Sequence, residues 1–262
     1  NGTSTQGQTL TASNDLADAD GLGTIGYQWT RGGVNISGAT DSTYTLVQAD
    51  VGAAITVAAS YTDGEGTVET VSSSATSNVV NINDAATGAV TISGIATEDQ
   101  VLTASNNLAD ADGLGTISYQ WQRAGVDISG ANASTYTLVQ ADVGAVIKVV
   151  ASYTDSAGAA ETVTSIATTA VANVNDTATG AVGINGTSTQ GQTLTASNDL
   201  ADADGLGTIS YQWTRDDVDI SGATNTTYTL VQADVGKAIK VAASYTDGEG
   251  TVETVSSSAT SN

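Results

Sequence analysis

At an offset of 92 residues the chain lies on top of itself: Ile117-Ser118-Tyr119-Gln120-Trp121 returns as Ile209-Ser210-Tyr211-Gln212-Trp213 and stands earlier as Ile25-Gly26-Tyr27-Gln28-Trp29. The three tryptophans are therefore one position used three times. A period of this size is too long for a solenoid unit and fits a complete small domain. The expected organisation is three tandem domains, 1–84, 85–176 and 177–262, the first without its opening strand. The copies are unequal in an ordered way. Residues 1–78 and 185–262 differ at only eight positions (26, 32, 33, 35, 41, 42, 53 and 56), whereas the middle copy departs from the first at many more. A diverged copy between twins lowers the hazard of strand exchange between neighbours during folding, and unequal duplication without selection on order accounts for the same pattern.

Within a copy the periodicity is that of strands. Ile117, Tyr119 and Trp121 alternate with polar residues, as do Ile147, Val149, Ala151 and Tyr153, and a period of two marks half-buried strands. Shorter Thr- and Val-rich pieces at 101–105, 135–138 and 161–164 lie between Gly, Asp and Asn clusters. No segment keeps a helical stripe for three turns. About seven short strands in roughly 90 residues predict an all-β chain of immunoglobulin-like antiparallel β-sandwich domains in an elongated array, with the tryptophan on the third strand facing the core. An Asp and a Gly two apart precede the long alternating strand in every copy, as Asp50-Gly52, Asp142-Gly144 and Asp234-Gly236. They resemble the D-x-G turn before the sixth strand of immunoglobulin domains. The paired cysteines of antibody domains are replaced by aliphatic positions near Leu102 and Val149, so packing must replace the bridge. Each of these Asp residues reads as a turn cap or as a metal ligand.

Composition removes whole classes of chemistry. The chain has no histidine and no cysteine, which excludes Ser-His and Cys-His catalysis, thiolate metal sites and disulfides. With 28 acidic against 6 basic side chains the net charge is -22, a field that repels nucleic acid and anionic membranes and invites cations. No run of 18 apolar residues is present, so membrane insertion is not expected. A carboxylate pair such as Asp110 and Asp112 is the only acid/base couple on offer, and three copies on small sandwiches without a large cleft argue against an enzyme.

Tyr211-Gln212-Trp213, Ile220-Ser221-Gly222-Ala223-Thr224, Tyr228-Thr229-Leu230 and Ala233-Asp234-Val235-Gly236 resemble the immunoglobulin-like repeats of giant bacterial surface adhesins, including the repeats-in-toxin (RTX) type exported by type I secretion. Asn81-Ile82-Asn83-Asp84 and Asn173-Val174-Asn175-Asp176, followed by Thr87-Gly88 and Thr179-Gly180, match the N-D-x-P-T-G linkers of such arrays, with Ala86 and Ala178 where the family has proline. Alanine leaves free the backbone angle that proline fixes, which puts the stiffness of the joints in question. The resemblance implies a secreted or bacterial cell-surface protein, a monomeric rod whose partners are the neighbouring repeats of its own chain. As a stalk it spaces a distal binding domain from the cell, any host or surface glycan or protein being met by other domains, and calcium stiffens the joints. The alternative is a carbohydrate- or protein-binding adhesion module.

The residues supply a candidate for the ion. Each copy carries Leu-Ala-Asp-Ala-Asp-Gly, giving the pairs Asp18/Asp20, Asp110/Asp112 and Asp202/Asp204, and a D-x-D-G turn sets two carboxylates on one side of a tight loop, as hard divalent cations want. In an immunoglobulin-like sandwich the loop between the second and third strands lies where the chain enters. Asp110 and Asp112 are therefore expected near Asn83 and Asp84, with the preceding Asp50 corner facing the same gap. Asp202 and Asp204 are expected near Asn175 and Asp176, with Asp142 as a further contributor. Solvated turn-forming acids are the competing account, since full D-x-D-x-D-G loops are absent. Glu98-Asp99 occurs only in the middle copy, against Gln6-Gly7 and Gln190-Gly191, and adds acids at one joint or merely at the surface. Asp63-Gly64-Glu65-Gly66 and its counterpart at 247–250 read as hairpin turns.

Overall fold

The structure, a computed structural model, describes residues 1–261. Its regular elements are strands and three single-turn 3-10 segments, Gln48–Asp50, Gln140–Asp142 and Gln232–Asp234. The first copy holds β1 (Thr9–Thr11), β2 (Gly26–Arg31), β3 (Val34–Asn35), β4 (Thr43–Thr45), β5 (Ile55–Thr62) and β6 (Val68–Ser72). The second holds β7 (Val90–Ser93), β8 (Val101–Asn106), β9 (Ser118–Arg123), β10 (Val126–Asp127), β11 (Thr135–Thr137), β12 (Ile147–Thr154) and β13 (Ala160–Thr164). The third repeats the set as β14 (Val182–Asn185), β15 (Thr193–Asn198), β16 (Ser210–Arg215), β17 (Val218–Asp219), β18 (Thr227–Thr229), β19 (Ile239–Thr246) and β20 (Val252–Ser256). The strands predicted from alternation match these within a residue or two at each end.

The sheet orders repeat with the sequence. A four-stranded sheet runs β3-β2-β5-β6, β10-β9-β12-β13 and β17-β16-β19-β20, and a smaller one runs β1-β4, β11-β8-β7 and β14-β15-β18. The pairings of the first and third copies, and β10-β9, β11-β8 and β12-β13 of the second, are antiparallel. The fold is thus all-β, built of repeated sandwich-like units. By compactness the chain divides into two bodies. One comprises Asn1–Thr91, Ser105–Gln120 and Val149–Ser165, and the other Ile92–Ala104, Trp121–Lys148 and the chain from Ile166 onward.

In the first body Leu10, Trp29, Leu46, Ile55 and Val79 form a buried cluster against which Tyr44 and Val57 pack. In the second, Leu194, Trp213, Leu230, Ile239, Val241, Ala243 and Tyr245 do the same. β19 shows why: its inward residues Ile239, Val241, Ala243 and Tyr245 are buried while every second residue is not. Each fully buried aliphatic side chain of this kind contributes about 1.5–3 kcal/mol, and no disulfide is needed. The indole N–H does not go unsatisfied, since Trp213 Nε1 donates to the Asn225 carbonyl at 2.9 Å and Trp121 Nε1 to that of Ala133 at 2.9 Å.

Two parallel bridges in each body fix the residues ahead of the linker segments. Val80 pairs with Thr5 and Val79 with Val51, while Ala172 pairs with Thr97 and Val171 with Val143. Gln6 and Glu98 directly follow the bridged threonines, and their backbone N–H groups donate to Val80 and Ala172 at 3.0 and 2.9 Å. That register brings both side chains alongside the linkers.

Candidate metal centres

The acid loops are seated by backbone contacts that only glycine permits. A Cβ at Gly115 would run into the Thr154 carbonyl oxygen, and one at Gly207 into that of Thr246, so each loop lies directly on the end of the long strand β12 or β19. The linker is pinned to the same loop by reciprocal backbone bonds, Thr87 with Ala109 at 2.8 and 3.0 Å and Thr179 with Ala201 at 2.8 and 3.0 Å. Acid loop, linker and the turn after the long strand are thereby gathered at one place in each body.

In the first body Asp110, Asp112 and Asp155 each offer a carboxylate oxygen, all within 4.8 Å of one another. Most of those oxygens already have protein partners. Asp110 accepts from the Asp112 N–H at 2.9 Å and from the Tyr153 hydroxyl at 2.6 Å. Asp112 accepts from the backbone N–H of Asp84 at 2.7 Å on one oxygen and from Gln48 Nε2 at 2.8 Å on the other. Asp84 in turn accepts from Gln6 Nε2 at 2.8 Å. Asp155 Oδ1 accepts from the Ala159 N–H at 2.8 Å, and its Oδ2 is buried without a partner. Burial, then the bond to Asp110, pushes the Tyr153 hydroxyl above its ordinary range, so it stays a donor at any physiological pH.

The second body carries two such groups, Glu98 with Asp176 and Asp204, and Asp202 with Asp247 and Glu253, again within 4.8 Å. The Asp176 N–H donates to Asp204 Oδ2 at 2.7 Å, repeating the Asp84 to Asp112 bond, but Asp204 Oδ1 is buried and unpartnered. Glu98 Oε2 accepts from the Val174 N–H at 3.3 Å. Burial raises the Glu98 carboxyl above the usual carboxylate range, the Val174 bond opposes this, and the charges of Asp176, Asp99 and Asp204 push it higher.

Among the expected ligands, Asp110 and Asp112 meet in one body, where Asp84 reaches Asp112 through its backbone N–H and turns its carboxylate to Gln6, and in the other body Asp176 joins Asp204 in one group while Asp202 belongs to the second. Asn83 and Asn175 act as amide N–H donors, to Glu161 at 2.7 Å and, at 3.0 Å, to Glu253 of the Asp202 group. Asp18 accepts from the Tyr61 hydroxyl at 2.9 Å and from the Asp20 N–H at 2.9 Å. Asp20 is exposed, and the first copy's pair joins no group of three acids among the described residues. Asp155, Asp247 and Glu253 were not expected. They lie on or beside the turns after β12 and β19, where the sequence shows only hairpin signals.

The D-x-G aspartates are structural. Asp50 is fully buried and accepts from Arg31 Nε at 2.6 Å, the Tyr44 hydroxyl at 2.9 Å and the Val47 N–H at 2.8 Å. Arg123, Tyr136 and Val139 make the same bonds to Asp142. The turn-capping reading accounts for all of these bonds, and each carboxylate is paired with a guanidinium. Each tyrosine of this motif also packs against the core tryptophan, as Tyr136 does on Trp121 at 5.8 Å between ring centroids. Among the described residues no helix is long and apolar enough to cross a membrane.

No protein-family model matches the chain. Among curated proteins it is 34% identical over 165 residues to the highly immunogenic outer capsid protein of Enterobacteria phage T4, a match that takes in 60% of this chain and spans 42% of that protein's length. Solved structures similar to it include the tetra-tandem repeat in the extending region of a large adhesion protein (19% identity, TM-score 0.32, 98% of this chain and 71% of that one). A Ca2+-stabilized adhesin with which an Antarctic bacterium binds ice (15%, 0.30, 97% and 67%) and extracellular domains 3–5 of Drosophila OTK (15%, 0.33, 95% and 89%) are further examples. At such TM-scores these likenesses carry no weight for the site or for the activity.

Proposed function

We propose that the chain is an extender: three tandem sandwich domains, 1–84, 85–176 and 177–262, that hold a distal binding domain away from the surface of the cell that secretes it, with calcium stiffening the joints. One recurring contact carries this reading. The linker N–H groups of Asp84 and Asp176 both donate, at 2.7 Å, to the second acid of the following D-x-D-G loop, so the entry of each following domain is fastened to the linker at the same point of the 92-residue period. A repeated latch is what a spacer needs and what a ligand-binding module has no use for. The acids gathered around each latch repel one another at neutral pH, and a divalent ion held by oxygen ligands would turn that repulsion into attraction.

Small-angle scattering of the chain tests it. With calcium the maximum dimension is expected to lengthen and sharpen relative to chelator, because an ion bound only by the ordered state stabilises it by about 2.7 kcal/mol at one hundred times its dissociation constant. Curves that superimpose in calcium and chelator leave a passive spacer. A compact particle in both conditions removes the extender itself.

The phage relative favours a second reading, in which the same spacer stands on the outer face of a capsid rather than on a cell. Co-sedimentation of the chain with purified phage capsids, against bacterial cells as the other arm, separates the two.

A further inference from the structure

Position 6 and position 98 occupy the same place in their copies, one carrying an amide and the other a carboxylate. Gln6 works in both directions: its Oε1 accepts the Ile82 N–H at 3.1 Å and its Nε2 donates to Asp84 Oδ2 at 2.8 Å. With Gln48 donating to Asp112, both acids of that latch are met by N–H donors. Glu98 keeps the first half of this arrangement, accepting the Val174 N–H, and as an ionised carboxylate has no proton with which to perform the second. Where Gln6 offers a donor, Glu98 presents a carboxylate oxygen to those of Asp176 and Asp204.

Three features then coincide. Glu98 and Asp204 are 4% and 5% exposed, so water does not screen them freely. Asp204 Oδ1 is buried without any partner, in a place where its counterpart Asp112 accepts from a glutamine. Of the five basic side chains of this body, Arg123, Arg215, Lys237 and Lys240 are engaged at Asp142, Asp234, Asp216 and Asp217, and none, Lys148 included, forms an ion pair with Glu98, Asp176 or Asp204 among the described residues. Three gathered carboxylates that share two backbone N–H donors, from Val174 and Asp176, and that pair with no basic side chain are costly to keep ionised. Oxygens within 4.8 Å of one another match the span across a calcium ion with ligands at about 2.4 Å.

We propose that Glu98, Asp176 and Asp204 bind one calcium ion, and that Gln6 makes the equivalent place at Asp84 and Asp112 a latch that needs no ion there. A single amide-to-carboxylate exchange thus sets which linker is calcium-dependent. The inference rests on the reading that calcium acts at the linkers, and it assigns the two linkers different dependence on it.

Calorimetric titration of calcium into the chelator-stripped full chain, and into the E98Q and Q6E variants, tests this. E98Q is expected to lose one bound ion per chain, or to weaken its binding at least tenfold, and Q6E to gain one. In chelator E98Q should melt no lower than the wild type, because the restored amide can donate to Asp176, and that result guards against misfolding as the cause of lost binding. If the wild type binds calcium and E98Q binds it with unchanged number and affinity, the assignment fails, while calcium at the other acid groups stands. A wild type that binds no calcium overturns both.

Discussion

Asp234 shows how one buried acid in this chain is kept ionised. Burial alone would push its carboxyl up, but the Val231 N–H, the Arg215 guanidinium and the Tyr228 hydroxyl together hold it below the usual carboxylate range. A folded-state value below the unfolded one, about 3.9, contributes stability that is fully present above the unfolded value and is lost as pH falls through the folded one. Asp234→Asn keeps the shape and removes the charge, leaving Arg215 without its ion pair. Breaking a buried pair costs about 3–5 kcal/mol, and with 28% of the Arg215 side chain exposed the loss should be about 2–3 kcal/mol after allowing for solvent screening. Melting curves of wild type and variant should differ at pH 7 and draw together below pH 4, whereas a gap constant down to pH 2 would remove the ion pair as its cause. The sequence carried a sign of this motif: Arg31, Arg123 and Arg215 each stand two residues after the tryptophan, hence on the core face of their strand, where alternation calls for an apolar side chain.

At the scale of elements, the strands were legible because their inward residues obey a period of two, and the acid loops because D-x-D-G repeats three times. The groups completing the acid clusters were not. Asp155 and Asp247 come from turns more than 40 residues downstream, and only the pairing of β9 or β16 with the long strand beside it brings them to the loop. The hairpin between β16 and β17 shows the opposite case, where a difference between near-identical copies explains itself in space. Four of the eight changes place Asp216, Asp217, Lys237 and Lys240 where the first copy has Gly32, Gly33, Ala53 and Thr56. They form two ion pairs at 2.7 Å. The pairs are solvent-exposed, so each is worth about 0–1 kcal/mol. Against that, Asp217 sits at φ 64 where Gly33 has φ 82, and the left-handed region costs a non-glycine residue about 1 kcal/mol. Asp217→Gly is therefore expected to stabilise by about 0.5 kcal/mol despite losing Lys240 as partner. Chemical denaturation reads this directly, and a clear destabilisation would show that the Lys240 pair outweighs the backbone strain.

For the molecule as a whole, the order of the copies is the feature with consequences. The outer copies share the sequence and register of one strand pair, Thr9 against Thr45 and Thr193 against Thr229, with the leucine and tyrosine between them paired alike. A strand of one can thus complete the sheet of the other with no loss of side-chain packing. Such exchange depends on how close the twins stand along the chain while both are unfolded, since a shorter intervening segment raises their effective concentration. The middle copy differs from the twins at surface, turn and sheet positions, among them Val101, Val146 and Val150 in place of Thr9, Ala54 and Ala58. A swap between neighbours is then less well packed than the native pairing. Replacing residues 93–170 by the sequence of 1–78 makes the neighbours near-identical while keeping every residue type that the cores use. That variant should melt much as the wild type does once folded, yet return from denaturant with a lower yield of monomer and a trapped fraction that grows when refolding is fast. Equal yields and equal refolding amplitudes for the two chains would mean that the alternation is a record of duplication and has no part in how the chain folds.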